Sequence, residues 1–174
     1  IFASDNGAAI QAPIKILNCN AGFKGRKGTL YEGGIRVPFI VNQPGMVPIQ
    51  TLDNLIYFPD MMPTLAALAK GTKHLPKQIN GINILPLFYG KQVDTDNRLL
   101  YWEFPGKQRA ARKGDWKCVT IHPNQPLELY NLKEDPEETN NLAKKYPRRV
   151  KEFDEEMQRM HIPTPNWPQP GEQF

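Results

Sequence analysis

Apolar and other β-prone residues in the second half of the chain cluster in short runs. Four β-prone runs occupy residues 99–104, 109–112, 116–121 and 127–132, and Lys113-Gly114-Asp115 supplies a tight turn between the middle two. Four strands with one covered face are enough for a small stable sheet. The pattern therefore predicts an antiparallel four-stranded sheet.

The apolar spacing becomes helical after the last of these runs. A helix is predicted to begin at Pro147, because Val150, Phe153, Met157 and Met160 follow one another at intervals of three, four and three residues. We expect this helix to pack on the sheet and to cover one face. Beyond it the chain is rich in proline, which predicts an extended tail.

A second helix is predicted from Pro59, with Met61, Leu65 and Leu68 on one apolar stripe and Gly71 as its stop. Before it, residues 1–3 and 37–41 read as short buried strands. Residues 72–90 read as a connecting segment with short turns. The fold class predicted from these elements is mixed α/β.

Composition narrows the class of protein. The 174 residues are 40% apolar and 23% charged, as in globular proteins, and no apolar run approaches the length of roughly 20 residues that spans a bilayer. The net charge of +4 is small and scattered, so we expect no nucleic-acid partner. Because the chain opens on Ile1 and Phe2 without a Met, we interpret it as a piece of a longer protein, and its compartment stays open.

The two cysteines do not indicate a metal site. Neither Cys19 nor Cys118 belongs to a CxxC pair or lies near a histidine cluster, so zinc is not predicted. Two free thiols and a disulfide between them both remain open, because sequence spacing does not show whether the two backbones approach each other.

Asp5 and Asn6 follow the first predicted strand and offer a carboxylate and an amide oxygen, which suit a hard cation such as calcium. Both side chains can face one ion if the backbone bends, which Gly7 permits. The alternative is an Asx turn, in which one of these side chains bonds its own backbone.

Residues 8–34 form a long segment rich in glycine and lysine, and loops of this length tend to be functional. Lys27 lies between glycines, whose small size allows an ammonium group to approach an oxyanion. The alternative is a solvated loop in which Lys24, Arg26 and Lys27 face water.

Together the two segments resemble the sulfatase family of the alkaline-phosphatase-like superfamily. Sulfatases have a strand that ends in Ser-Asp-Asn-Gly, then a loop, then Lys-Gly-Thr-x-Tyr-Glu-Gly-Gly-x-Arg-x-Pro. Residues 4–7 and 27–38 match every named position. Segments at 60–65, 80–87, 114–117 and 129–143 also resemble the family, with Asn80 and Asn83 as departures in structural segments.

The resemblance implies that residues 1–90 complete the catalytic α/β domain and that residues 91–174 form the small sheet, its helix and the tail. It implies that Asp5 and Asn6 are calcium ligands and that Lys27 is a catalytic residue that contacts the sulfate group. Arg26 and His122 are weaker candidates for substrate binding, and a surface or capping role is the alternative for His122. Tyr31, Glu32 and Arg36 are expected to anchor the loop, and His74 and His161 are expected to be surface or capping residues.

The nucleophile of such sulfatases is a formylglycine made from a Cys/Ser-x-Pro/Ala-x-Arg motif. Neither cysteine lies in such a motif, so the nucleophile is expected in an N-terminal part of the same protein, and this chain alone is expected to be inactive. The resemblance implies an aryl sulfate or a sulfated sugar as substrate, and a periplasmic or secreted location.

Two other functions remain open. One is a phosphohydrolase of the same superfamily, although such enzymes place a histidine beside the aspartate for zinc, where this chain has Asn6. The other is a non-catalytic binding module that keeps only the fold.

Overall fold

The computed structural model describes residues 1–104, 108–122, 124–165 and 168. The strands are β1 (Phe2–Ala3), β2 (Phe39–Ile40), β3 (Leu99–Phe104), β4 (Gln108–Lys113), β5 (Trp116–Thr120) and β6 (Glu128–Asn131). The α-helices are α1 (Ile14–Leu17), α2 (Glu32–Ile35), α3 (Met61–Leu68), α4 (Leu85–Phe88) and α5 (Pro147–Met160). These elements confirm the predicted α/β class.

The chain divides into two compact units. The first contains Ile1–Phe2 and Phe39–Arg98, and the second contains Ala3–Pro38 and Leu99–Phe174. The domain boundary predicted near residue 90 concerns the whole protein and stays a prediction.

The second unit is built on the predicted antiparallel sheet, with strand order β3-β4-β5-β6. Ala110 lies opposite Val119 and Ala111 lies opposite Cys118, so neighbouring pairs face opposite sides of the sheet. Gly114, with φ of +56°, turns the chain between β4 and β5. The sheet prediction is confirmed, with strand ends within one or two residues of those expected.

Helix α5 covers one face of this sheet, as predicted. Phe153 and Met157 are buried against Ala111, Cys118 and Leu129. Val150 packs at the edge of the same cluster, whereas Met160 is exposed. The periodicity of the helix therefore identified its buried face.

The opposite face of the sheet is also covered, and this second cover was not predicted. Leu30 and Tyr31, from the long loop, pack against Ala110, Val119 and Tyr130. Because cover lies on both sides, the last four residues of β5 are buried without alternation. The glycine-rich loop is thus part of the core of the second unit.

In the first unit, helix α3 lies where the sequence predicts it, after a 3₁₀ turn at Phe58–Asp60. The apolar stripe of this helix is not its buried side in this chain, because Leu65 and Leu68 are 45% and 50% exposed. Pro63 and Thr64 are buried instead. The Thr64 hydroxyl accepts a hydrogen bond from the backbone N–H of Ile84 at 2.9 Å, which turns this side of α3 towards the α4 segment.

The predicted strands at 1–3 and 37–41 reduce to β1 and β2, which pair as a two-stranded sheet. They are not buried in this chain: Ile1 and Phe2 are 60% and 65% exposed. The connecting segment holds a 3₁₀ turn at Thr72–His74 and helix α4. Leu87 and Phe88 of α4, with Ile84 just before it, form the core of the first unit. That core is small and leaves much apolar surface uncovered.

Cys19 is an exposed free thiol and Cys118 is a buried one, so the structure has the two free cysteines and not the disulfide. Burial raises the pKa of Cys118 to about 12. Across the described ranges, no helix combines the length and the apolar character needed to cross a bilayer. Most of the predicted proline-rich tail, with Trp167, lies outside the described residues.

Candidate active site

The turn that carries Asp5 and Asn6 is closed by the serine that precedes them. The Ser4 hydroxyl donates to the backbone oxygen of Asn6 at 2.9 Å, and the Ser4 N–H donates to the Pro38 oxygen at 3.3 Å. Asp5 is exposed and Asn6 is half-buried. The side chains of Asp5 and Asn6 thus lie on a turn that is closed by the hydrogen bond from the Ser4 hydroxyl.

Two backbone hydrogen bonds join this turn to the loop that carries Lys27. The Gly7 N–H donates to the Gly34 oxygen at 2.9 Å, and the Lys27 N–H donates to the Ala8 oxygen at 3.0 Å. The structure therefore brings together the segments of Asp5, Asn6 and Lys27. No contact between their side chains is needed for this conclusion, since the main chains are bonded directly.

Glycine is required where these segments meet. A Cβ atom on Gly7 would lie 1.9 Å from the Gly33 oxygen, and one on Gly34 would lie 2.0 Å from the Thr29 oxygen. Such distances leave no room for any side chain, so the close approach depends on glycine. This explains why the motif has glycine at these positions.

The tip of the loop is a compact turn around Arg26 and Thr29. The Thr29 hydroxyl donates to the Arg26 oxygen at 2.9 Å and accepts from the Arg26 N–H at 3.2 Å. Gly28, with φ of +92°, completes the turn. Arg26 and Lys27 are both exposed, so their charged groups are accessible to an anion.

Gln108, at the start of β4, holds the next part of the loop. Its amide nitrogen donates to the Gly28 oxygen at 2.9 Å, and its amide oxygen accepts from the Leu30 N–H at 3.3 Å. Sequence reasoning did not select Gln108, because it lies 78 residues from Leu30 and in no motif. Only the structure shows that the Gln108 amide is buried and that it holds the loop.

Tyr31 anchors the loop as predicted, through a polar cluster. Its hydroxyl donates to Glu128 Oε2 at 2.6 Å, Tyr130 donates to the same oxygen at 2.7 Å, and Lys24 Nζ donates to the Tyr130 hydroxyl at 2.9 Å. Burial and then the bonds to the carboxylate raise the pKa values of both tyrosines. Burial opposes ionisation of Glu128, but the bonds from Tyr31, Tyr130 and Lys24 outweigh it and lower its pKa.

Glu32 anchors the loop more deeply. Its carboxylate lies 2.9 Å from Lys117 Nζ, and its N–H donates to Glu138 Oε2 at 2.7 Å. Arg36 and Arg112 lie 3.8 and 3.7 Å from the second carboxylate oxygen of Glu32. Burial raises the pKa of Glu138, although the neighbouring Lys117 lowers it. The sequence selected Lys117 and Glu138 only as members of segments that resemble the family. Their pairing with Glu32 was missed, because they lie 85 and 106 residues from it and share no local pattern with it.

The three histidines do not belong to these anchoring clusters. His122 is exposed in the turn after β5, where its ring Nδ1 accepts from the Asn124 N–H at 3.2 Å. His74 is exposed, and His161 at the end of α5 lies 2.5 Å from Glu103. His74 and His161 thus have the surface and capping positions expected, and a role of His122 with substrate stays a prediction.

Asp5 and Asn6 offer fewer oxygen donors than calcium requires. Calcium takes six to eight oxygen ligands, and Asp5 and Asn6 offer oxygens of the right kind but few in number. Within the residues that the structure describes, no cluster of three or more His, Cys, Asp or Glu side chains could hold a metal. The two residues fit calcium as part of a larger ligand set.

Comparison with known proteins supports the motif. The family model for the C-terminal part of N-sulphoglucosamine sulphohydrolase matches residues 23–162. A sulfatase of Formosa agariphila is 32% identical over 84% of this chain, and human arylsulfatase A is 30% identical over 82%. The chain spans 29% and 32% of the lengths of these two relatives.

Solved structures agree with the sequence relatives. A sulfatase from work on glycosaminoglycan metabolism by Bacteroides thetaiotaomicron superposes with a TM-score of 0.78, at 28% identity over 91% of this chain and 37% of its own. Ps i-CgsB in complex with k-i-k-neocarrahexaose gives a TM-score of 0.76, at 25% identity over 98% of this chain and 38% of its own. The chain therefore belongs to the sulfatase family, in the region that the family's C-terminal model describes.

Proposed function

We propose that the full-length protein hydrolyses sulfate monoesters, and that this chain supplies part of the active site. Asp5 and Asn6 are the calcium ligands, and Lys27 contacts the sulfate group. The observation that carries the proposal is the pair of backbone bonds, Gly7 to Gly34 and Lys27 to Ala8, which hold these three residues in adjoining segments.

The chemistry assigned to each residue follows from its charge and position. As a sulfate ester is cleaved, negative charge redistributes over its oxygens, and a fixed ammonium group stabilises that charge. Lys27 is exposed on a loop whose main chain is already fixed by hydrogen bonds, so the backbone needs no further ordering when its ammonium group contacts an anion. Bound calcium would supply further positive charge at the same anion.

The remaining parts of the site are assigned to the rest of the protein. The formylglycine nucleophile and the other calcium ligands lie there, because two oxygen donors fall short of the six to eight that calcium takes. The first unit exposes a set of large apolar side chains that a longer polypeptide can cover: Ile1, Phe2, Ile40, Met46, Ile49, Leu52, Phe58, Met62, Leu65 and Leu68. The chain alone is therefore inactive and binds calcium weakly.

The substrate class is an aryl sulfate or a sulfated sugar. Relatives include an arylsulfatase and an N-acetylgalactosamine-6-O-sulfatase from Bacteroides thetaiotaomicron, and one similar structure was solved with a neocarrahexaose. The groups assigned here act on the sulfate and not on the carrier, so they are compatible with both. A periplasmic or secreted location belongs to the same proposal.

The test compares two lysine variants of the full-length protein, with para-nitrophenyl sulfate as substrate. Lys27→Ala is expected to lower kcat/KM about 100-fold, since it removes one charge-stabilising group. Lys144→Ala, at another exposed lysine, is the matched control and is expected to leave kcat/KM within about twofold of wild type. Equal values for the two variants would contradict the assignment of Lys27.

The same preparation separates the rival functions. Faster turnover of para-nitrophenyl phosphate than of the sulfate would favour a phosphohydrolase. Absence of turnover of both esters would favour a binding module. Calcium-dependent turnover of the sulfate by the 174-residue chain alone would contradict the assignment of the nucleophile to another part of the protein.

A further inference from the structure

A fully buried lysine lies behind the loop that carries Lys27. Lys117 in β5 has 0% exposure, and its Nζ lies 2.9 Å from Glu32 Oε1 and 2.9 Å from Glu138 Oε1. Lysine is rarely buried completely unless it is paired. A buried ion set is also weak evidence for stability, because apolar side chains of similar volume often serve as well. The arrangement thus calls for a role beyond packing.

The turn that presents Glu138 is unusual in its backbone. Glu138 has φ of +55°, which is uncommon for a residue other than glycine. The carboxylate of Asp135 fixes this turn by accepting from the N–H groups of Thr139 at 3.0 Å and Asn140 at 2.8 Å. Glu138 is therefore held in a strained conformation with its side chain buried beside Lys117.

The three residues form a closed ring of contacts around the first residue of α2. Glu138 holds the backbone of Glu32 through its N–H, and Lys117 holds the side chain of Glu32. Two residues further on, the Gly34 oxygen accepts from the Gly7 N–H. A continuous series of contacts therefore runs from β5 through Glu32 and Gly34 to the turn of Asp5 and Asn6.

We propose that Lys117 is a positioning residue for the sulfate-ester site, which with Glu138 fixes the α2 backbone against which the Asp5–Asn6 turn and the Lys27 loop are held. This inference rests on the proposed function, since it assumes that those three residues act on substrate. Lys117 itself is buried and acts only through the residues that it orients.

The test uses Lys117→Met in the full-length protein, with two measurements. Hydrogen exchange of the Gly7 and Lys27 backbone amides reports directly on the two bonds that join the segments. We expect exchange at both amides to rise at least about tenfold, and kcat/KM for para-nitrophenyl sulfate to fall about 10- to 100-fold, mainly through kcat, because small misplacement of charge-stabilising groups is costly.

Leu129→Ala is the control for a general loss of stability. Leu129 is fully buried on the α5 face of the sheet, so its truncation leaves a cavity away from the ring of Lys117, Glu32 and Glu138. At a temperature where both variants are folded, the control is expected to keep amide exchange and kcat/KM within about twofold of wild type. Equal effects of the two variants would show that Lys117 acts through overall stability, and would overturn the proposal.

Lys117→Met leaves two buried carboxylates without their ammonium group and can prevent folding. In that case the triple variant Lys117→Met, Glu32→Gln, Glu138→Gln removes all three charges together, and the same two measurements apply. Wild-type exchange and kcat/KM in the folded variant would overturn the positioning role alone. A wild-type protein without sulfate-ester turnover, whose Lys117 variant still shows faster exchange, would overturn the proposed function alone.

Discussion

Two regions of the second unit are ordered in different ways. The sheet and α5 are held by regular ladders between strands that follow one another in the chain, and by an apolar cluster of Ala111, Cys118 and Leu129 under Met157. The site loop is held by bonds to glycine backbones and by Lys117, which lies 85 residues from its partner Glu32. The difference shows that the scaffold forms from local pattern, whereas the order of the site is imposed by the scaffold.

The largest effect is expected from a cavity in the scaffold. Met157→Ala removes a fully buried side chain between α5 and the sheet, so the free energy of unfolding should fall by about 3 kcal/mol in urea denaturation. If the two regions are as separate as the comparison implies, kcat/KM of the folded full-length variant stays within about twofold of wild type. A large fall in kcat/KM would break the comparison.

The next effect is expected where the loop has no space. Gly34→Ala places a Cβ atom 2.0 Å from the Thr29 oxygen. We expect the free energy of unfolding to fall by about 2–3 kcal/mol, and the sulfatase activity of the full-length variant to fall as well. The matched control is Gly71→Ala, whose Cβ would meet its nearest atom at 3.8 Å. Equal tolerance of the two substitutions would remove the argument for close approach.

A smaller effect is expected from the side chain that ties the two regions together. Gln108→Ala leaves the buried Leu30 N–H without its acceptor, which should cost about 1–2 kcal/mol and speed exchange of that amide. Gln158→Ala, at an exposed glutamine of α5, should change unfolding by less than about 0.5 kcal/mol. Unchanged exchange at Leu30 in the Gln108 variant would contradict the tie.

The smallest effect is a dependence on pH. The folded pKa of Glu128 lies below its ordinary value of 4.5, so its stabilising contribution is present above that pH and is lost as the pH falls through the folded pKa. The free energy of unfolding of wild type should exceed that of Glu128→Gln by about 1 kcal/mol at neutral pH. This difference should shrink as the pH falls. Urea denaturation at several pH values checks this, and a difference that grows in acid would contradict it.

The sequence was sufficient for the features that depend on local pattern. The four strands follow from short β-prone runs and α5 follows from an apolar spacing of three to four residues, and these predictions were confirmed. Helix α3 was located correctly, but its buried face was not, because hydrophobicity favoured Leu65 and Leu68 while the Thr64 hydroxyl bonds the backbone of Ile84. In a chain that spans about a third of its relatives' length, apolar exposure is a poor guide to the core.

The site was predictable only as far as its motif. Residues 4–7 and 27–38 were selected by resemblance, and the structure shows that their main chains are bonded to each other. Glu138 and Lys117 carry charge, lie 106 and 85 residues from Glu32, and have no periodicity that marks burial. Their pairing depends on the fold, so no local pattern could reveal it.

We propose that Asp5, Asn6 and Lys27 surround one cation and one sulfate group. A crystal structure of the full-length protein with calcium and sulfate tests it most directly. We expect side-chain oxygens of Asp5 and Asn6 at about 2.3–2.6 Å from the ion, and Lys27 Nζ within about 3.2 Å of a sulfate oxygen. An ion held entirely by other residues, with Lys27 Nζ beyond hydrogen-bond reach of the anion, would contradict it.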